Sequence, residues 1–253
     1  MKIVRVDTEV DDITYGAVEA EGIRLHRGTP LVAWEPTETV VAWNQARLLA
    51  PVIPTKIVAV GRNYVDHAVE MDAEVPDEPI IFLKPPTTIV GPMQPIRLPS
   101  DSAKVEHEAE LAIVMGKVTK DVYIEDVGPH ILGYTAANDV TARDLQRRDR
   151  QWTRAKGFDT FCPLGPAIDT ELDPLEGLSI MCRVNGEIRQ SGSTSDMVFG
   201  VGELVAYVSR IMTLLPGDVI LTGTPSGVGP IEAGDRVEVE VEGVGVLMSP
   251  VVG

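Results

Sequence analysis

The chain has 253 residues, enough for a sizeable core and one or two domains. Its 22 Lys and Arg against 38 Asp and Glu give a formal charge of −16, which argues against the basic face that nucleic acid requires and disfavours anionic membrane surfaces. Two cysteines, Cys162 and Cys182, are too few for a disulfide framework and stand in no metal-type spacing, which fits a reducing cytoplasm.

The start, Met1-Lys2-Ile3-Val4-Arg5-Val6-Asp7, has no apolar signal core, and no segment is long enough to span a bilayer. Short alternating runs at residues 2–6, 13–18, 23–25 and 31–34 predict a small β-rich unit. Residues 48–54 read as a linker, because proline keeps its neighbour extended. This divides the chain into a small N-terminal domain, residues 1–52, and a larger domain, residues 53–253. Residues 57–60 predict a buried strand ending at Gly61, 64–71 a helix and 80–83 another strand, followed by a proline-rich loop over 85–99. Residues 105–115 read as one strand, acidic at its start and apolar after it. Residues 131–137 predict a strand ending at Asn138-Asp139, and Thr141 suits the N-cap of the polar stretch 141–150. A strand over 179–184 runs into Asn185-Gly186, a strong hairpin signal. Residues 201–213 have the apolar period of a helix, and 218–221, 236–241 and 246–251 close the chain as strands. Many strands and few helices point to an α+β fold, not a doubly wound α/β one.

Three carboxylates carry the chemistry. Strand side chains alternate faces, so Glu108 and Glu110 point the same way. Two carboxylates losing hydration side by side take up a proton or recruit a cation. The alternative is a solvated edge with two surface acids. Asp139, at a strand end, would complete a set of three hard oxygen ligands and leave positions open for water and a chelating substrate. Lys156 could bring positive charge to the same place, or be an ordinary surface lysine. His67 and Glu70 lie three apart and share a helix face, where a carboxylate orients an imidazole as a water-activating base. Thr222-Gly223-Thr224-Pro225 offers hydroxyls and N–H groups to an anionic oxygen, without the ending of a phosphate loop. Arg143, Arg147, Arg148, Arg150 and Arg154 read mostly as a solvated, ion-paired face, of which one or two could favour an anionic substrate locally.

Several of these motifs occur in an order that resembles the fumarylacetoacetate hydrolase family. They are Gly61-Arg62-Asn63-Tyr64 with His67 and Glu70, Phe82-Leu83-Lys84-Pro85 and Glu108-Ala109-Glu110-Leu111. Asn185-Gly186-Glu187 with Gln190, Pro216-Gly217-Asp218 and Thr222-Gly223-Thr224-Pro225 complete the set. The resemblance runs from about residue 54 to the C-terminus, and the first fifty residues resemble a small N-terminal domain of some members. It implies a mixed β-sandwich roll, a homodimer, and Mg²⁺ or Mn²⁺ held by Glu108, Glu110 and Asp139. It implies Lys156 as the active-site lysine and His67 with Glu70 as a pair on a mobile lid. Arg62, Lys84, Gln146 and Thr224 match substrate-contacting positions. Residues 141–146 with Trp152, Thr153 and Lys156 look closest to the acylpyruvate hydrolase and oxaloacetate decarboxylase branch. The implied substrate is a small anionic 2-oxo acid whose C3 bond breaks through a metal-stabilised enolate. Hydrolysis of a 3-acylpyruvate leads. Oxaloacetate decarboxylation and 2-hydroxyhepta-2,4-diene-1,7-dioate isomerisation use the same intermediate. A non-catalytic binder of sugar acids or dicarboxylates would need no water-activating pair.

Overall fold

The computed structural model describes residues 1–10 and 12–253. Its strands order into one large sheet and two smaller ones. The large sheet begins with a meander of Ala33–Val41, Gly22–Thr29, Asp12–Glu19 and Lys2–Thr8. It continues through Cys162–Asp169, Ile131–Asn138, Ala109–Met115, Val219–Leu221 and Ile57–Gly61 to Ile80–Lys84. The join is antiparallel, Lys2 opposite Asp169 and Ile3 opposite Ile168. A five-stranded sheet contains Glu187–Ser193, Ser179–Val184, Arg236–Val241, Gly245–Val252 and Ile96–Arg97. The β-rich α+β reading of the sequence holds.

The apolar run Ala109–Met115 is buried at every position, because it packs on both faces. Leu111 and Ile113 join Ile180, Cys182, Val239 and Val241 of the five-stranded sheet in one core. Ala112 and Val114 join Ile57, Ala59, Val219 and Leu221 in another. By contrast, Ser179–Val184 and Arg236–Val241 alternate between buried and accessible positions, as a sheet covered on one face requires. Helix Val201–Ile211 lays Val201, Leu204, Val205 and Val208 onto the first core, a spacing that forms one helical face. Asn185 and Gly186 both take positive φ, 54° and 84°, as the predicted two-residue hairpin turn demands.

Four sequence expectations change. Leu31 and Val32 are turn, and the strand runs Ala33–Val41 with both charges and a proline outward. The expected linker is no free tether: Ala46–Leu49 pairs with Lys2–Thr8, and Ala50, Pro51, Val52 and Pro54 are buried. The proline-rich loop carries the two-residue strands Ile89–Val90 and Ile96–Arg97. Thr141 does not cap a helix. It lies in the strand Thr141–Ala142, its hydroxyl donates to the Asp139 carbonyl at 2.9 Å, and Ala142 precedes the helix Arg143–Asp149.

Asp218 ties together the starts of two adjacent parallel strands, Ile57–Gly61 and Val219–Leu221. Its carboxylate accepts from the backbone N–H groups of Thr55, Lys56 and Leu215, from the Thr55 hydroxyl at 2.7 Å, and from the Lys56 ammonium. Burial alone would raise its pKa, but these donors hold it below the ordinary value of 3.8. Its stabilisation is therefore complete above that value and fades as pH falls through the lowered pKa. Asp218→Ala strands these donors, and a loss of about 3–5 kcal/mol in urea unfolding at pH 7 is expected. A loss under 1 kcal/mol, on the order of a surface pair, would refute this role.

Candidate active site

The predicted strand 105–115 breaks at Glu108. Val105–His107 pairs with Thr141–Ala142 and Gly229–Pro230, whereas Ala109–Met115 pairs with Ile131–Asn138. Glu108 sits at the switch between sheets. Its N–H donates to Asn138 Oδ1 at 2.9 Å, and its carbonyl accepts from Asp139 N at 2.9 Å. The break thus brings the end of the neighbouring strand, Asp139, against the acidic pair. Ligand oxygens of Glu108, Glu110 and Asp139 lie within 4.8 Å of one another, and all three residues are buried.

Cations surround two of the three. Lys156 Nζ lies 2.6 Å from Glu108 Oε2 and 2.7 Å from Asp139 Oδ2. Lys84 Nζ lies 2.5 Å from Asp139 Oδ1. Arg143 reaches Glu108 Oε1 at 2.5 Å, Glu106 Oε2 at 2.6 Å and Gln146 Oε1 at 2.5 Å. Burial would push Glu108 up, but Lys156 and Arg143 outweigh it and hold its carboxyl well below the usual range. Burial disfavours the Lys156 ammonium too, and Asp139 and Glu108 reverse that, raising its pKa.

Glu110 is different. It accepts from Gly223 N–H at 2.7 Å, and no ion pair to it occurs among the described residues. Burial first, then the charges of Asp139 and Glu108, push its pKa well above the ordinary 4.5. Hard oxygen ligands with one uncompensated carboxyl fit Mg²⁺ or Mn²⁺, which would supply the missing charge. Gly223 has φ +92°, and a Cβ there would lie 2.9 Å from the Asn63 Cβ, so the donor turn needs glycine.

Glu108 and Glu110 open into a cavity of roughly 200 Å³. Arg62, His67, Gln146, Lys156 and Thr224 also line it. His67 rides on the helix Val65–Glu70, its Nδ1 3.1 Å from Glu70 Oε2. Glu70 Oε1 accepts from Gly227 N–H at 3.0 Å, which docks the helix on the loop beyond Thr224. Phe82 and Trp152 form an apolar wall, ring centroids 5.2 Å apart.

Two sequence-derived assignments are corrected. Lys84 is not on the cavity wall: it is 1 % exposed and bound behind Asp139. The Thr222 and Thr224 hydroxyls do not cradle an outside anion, because they donate to Leu111 and Ala109 carbonyls at 2.9 and 2.8 Å. The loop's Gly223 N–H instead donates to a carboxyl oxygen of the protein itself, that of Glu110. Of the arginine cluster, Arg143 is the one that is buried, 2 % exposed, and it shares the cavity wall with Arg147. The one distinguishing signal of Arg143 in the sequence is its place three residues before Gln146, straight after a buried strand.

Lys84→Met separates the two roles of that lysine. It leaves Asp139 Oδ1 without its cation, and a stability loss of about 3–5 kcal/mol in denaturant is expected. Unchanged stability with a raised KM would restore Lys84 as a substrate contact.

Comparison with known proteins gives a consistent match. The family model "Fumarylacetoacetate (FAA) hydrolase C-terminal" matches residues 56–252, and "Rv2993c-like, N-terminal" matches residues 1–51. Protein Rv2993c of Mycobacterium tuberculosis is 54 % identical over 86 % of this chain and 83 % of its own. Oxaloacetate tautomerase FAHD2A, mitochondrial, of Homo sapiens is 49 % identical over 84 % of this chain and 72 % of its own. The solved structure of 5-carboxymethyl-2-hydroxymuconate delta-isomerase from Mycobacterium smegmatis superposes with a TM-score of 0.93 at 48 % identity, covering 100 % of this chain and 99 % of that one. Fumarylpyruvate hydrolase from Pseudomonas aeruginosa, solved with Mn²⁺ and pyruvate, gives a TM-score of 0.75 at 35 % identity, over 81 % of this chain and 91 % of that one.

Proposed function

Because the chain belongs to the fumarylacetoacetate hydrolase family, we propose that it moves a proton at C3 of a small dicarboxylic 2-oxo acid, interconverting keto and enol forms. The observation that carries this reading is the His67–Glu70 pair on the same cavity as Glu108 and Glu110. Support comes from the tautomerase and isomerase names of relatives near half identity. Among the described residues no serine or cysteine lines the cavity, and the Thr224 hydroxyl proton is already engaged, so no hydroxyl or thiol there is free to act as a nucleophile.

Glu108, Glu110 and Asp139 would hold Mg²⁺ or Mn²⁺, which when bound supplies Lewis-acid stabilisation of an enolate oxygen. Arg62, Gln146 and the remaining N–H groups of Arg143 bind and orient the substrate's anionic oxygens. Glu70 accepts the Nδ1 proton of His67, which leaves Nε2 as the base that takes the C3 proton and returns it. Phe82, Trp152 and the docked helix limit water around the enol.

A second reading has its own support. The same His67–Glu70 pair can activate water for C–C hydrolysis of a 3-acylpyruvate, and a fumarylpyruvate hydrolase shares the fold. One panel decides. Oxaloacetate, acylpyruvates, fumarylpyruvate and hydroxydienedioates are followed for enol absorbance, pyruvate and CO₂, with Mg²⁺, Mn²⁺ or EDTA. Fast enol–keto exchange of a dicarboxylate without bond cleavage is expected. Cleavage of acylpyruvates at a higher kcat/KM would put hydrolysis first, and full activity in excess EDTA would sink both. The homodimer belongs to the same proposal, and a light-scattering mass near one chain of 27.3 kDa would refute it.

A further inference from the structure

Gln190 belongs to a sequence motif that the site as described does not use. It is 1 % exposed, and all four hydrogen-bonding positions of its amide are filled. Oε1 accepts from Ala109 N–H at 3.0 Å and meets His107 Nδ1 at 2.9 Å. Nε2 donates to Thr224 Oγ1 at 2.7 Å and to the Pro225 carbonyl at 2.8 Å. A backbone N–H only donates and a carbonyl only accepts, so Ala109 and Pro225 fix which end of the amide is oxygen. His107 Nδ1 must then carry the proton. Its Nε2 is buried and has no partner among the described residues.

The same logic reaches the cavity. Thr224 Oγ1 accepts the amide proton and gives its own to the Ala109 carbonyl at 2.8 Å. Ala109 lies between Glu108 and Glu110, so both its N–H and its C=O are held by this chain of bonds. We propose that His107 and Gln190 are positioning residues that set the hydrogen-bond polarity of Thr224, so that this side chain meets the ligand as a methyl group or an oxygen lone pair, never as a proton donor. The Thr224 wall then suits an apolar or proton-bearing part of the substrate, a C3 methylene or an enol hydroxyl. Carboxylate oxygens are left to Arg62 and Arg143.

Two measurements test this. Imidazole ¹⁵N–¹H correlation spectra of the intact protein, with the His107 signals identified through His107→Asn, should show a protonated Nδ1 and a bare Nε2. The opposite tautomer overturns the proposal. The second measurement rests on the chelation reading above and uses oxalate with Mg²⁺ as probe. Oxalate has no proton to give, so Thr224→Val removes no bond to it, and the loss from freeing the Ala109 carbonyl and the Gln190 amide should stay below the about tenfold that losing a donor to a charged oxygen would cost. Gln190→Met frees the Thr224 hydroxyl to turn and should change oxalate affinity by itself. That change should vanish when Thr224→Val is already present. A Gln190→Met effect that persists in the Thr224→Val protein means that Gln190 acts through the fold alone, and the proposal fails. If oxalate binds no form of the protein, the chelation reading fails, and the imidazole spectra still decide the polarity.

Discussion

Glu110→Gln is expected to abolish metal binding while leaving the metal-free protein as stable as before. The raised pKa means that Glu110 holds a proton well above pH 4.5 when no cation is present. Glutamine is close in shape to that protonated acid, and its carbonyl still accepts the Gly223 N–H. Removing a ligand should cost more than the 10–100-fold that loss of a supporting partner costs, so a drop of over about a hundredfold in Mn²⁺ affinity is expected by calorimetry. Glu108→Gln behaves differently. It breaks two buried ion pairs, to Lys156 and Arg143, and should cost about 3–5 kcal/mol in urea besides losing the metal. The pH dependence follows from the direction of the shift. A raised carboxyl pKa means that the native state holds a proton the unfolded chain has lost, so Glu110 lowers stability as pH rises from about 4.5 to its native pKa. Metal must displace that proton, so affinity rises with pH across the same window, and proton release appears as a buffer-dependent heat. Wild-type Mn²⁺ affinity in Glu110→Gln, or equal destabilisation by both variants, would refute this account.

His67→Ala should lower the rate of enol–keto exchange by about 10²–10⁴, the usual contribution of a positioned acid–base group. Glu70→Gln should cost less, because a glutamine oxygen can still accept from Gly227, but its amide can hold the wrong His67 tautomer. Oxaloacetate decarboxylation needs no proton removed by a base and should fall much less in His67→Ala. Equal losses in exchange and decarboxylation would mean that His67 acts on a step common to both, such as closure of the helix Val65–Glu70 over the cavity. The assignment of Nε2 as the C3 base would then be wrong.

Much of the fold can be read from local patterns, and the exceptions have specific causes. Asn185-Gly186 and the apolar runs at 57–60 and 201–213 signal their structures through chemistry that neighbours do not override. The strand at 105–115 looks continuous because each residue suits a strand, and the break at Glu108 comes from its partners belonging to two sheets. The linker expectation fails for a similar reason: prolines keep 50–54 extended, but only the tertiary fold buries them. In the site, the adjacency of Glu108, Glu110 and Asp139 is legible, since strand alternation puts the first two on one side and a strand end carries the third. Lys84 and Arg143 are not. One cation of a buried network looks like any other in a sequence, and which carboxylate each faces depends on strand order.

The antiparallel join at Lys2 and Ile3 also moves the sheet's open border. Without residues 1–51, the strand Cys162–Asp169 would lose its outer partner at Ile168 and Asp169, while Asp169 keeps Tyr134 on the inner side, beside the apolar cluster that Ile3 completes. Unpaired strand borders of that kind recruit other chains. With the meander in place, the outermost strand on that side is Ala33–Val41, which carries Glu35, Pro36 and Glu38 and is largely exposed. Negative charge and a residue without an N–H make that border a poor template for further pairing. The first fifty residues thus exchange an apolar, unpaired border for a charged and exposed one on the sheet that carries the carboxylates.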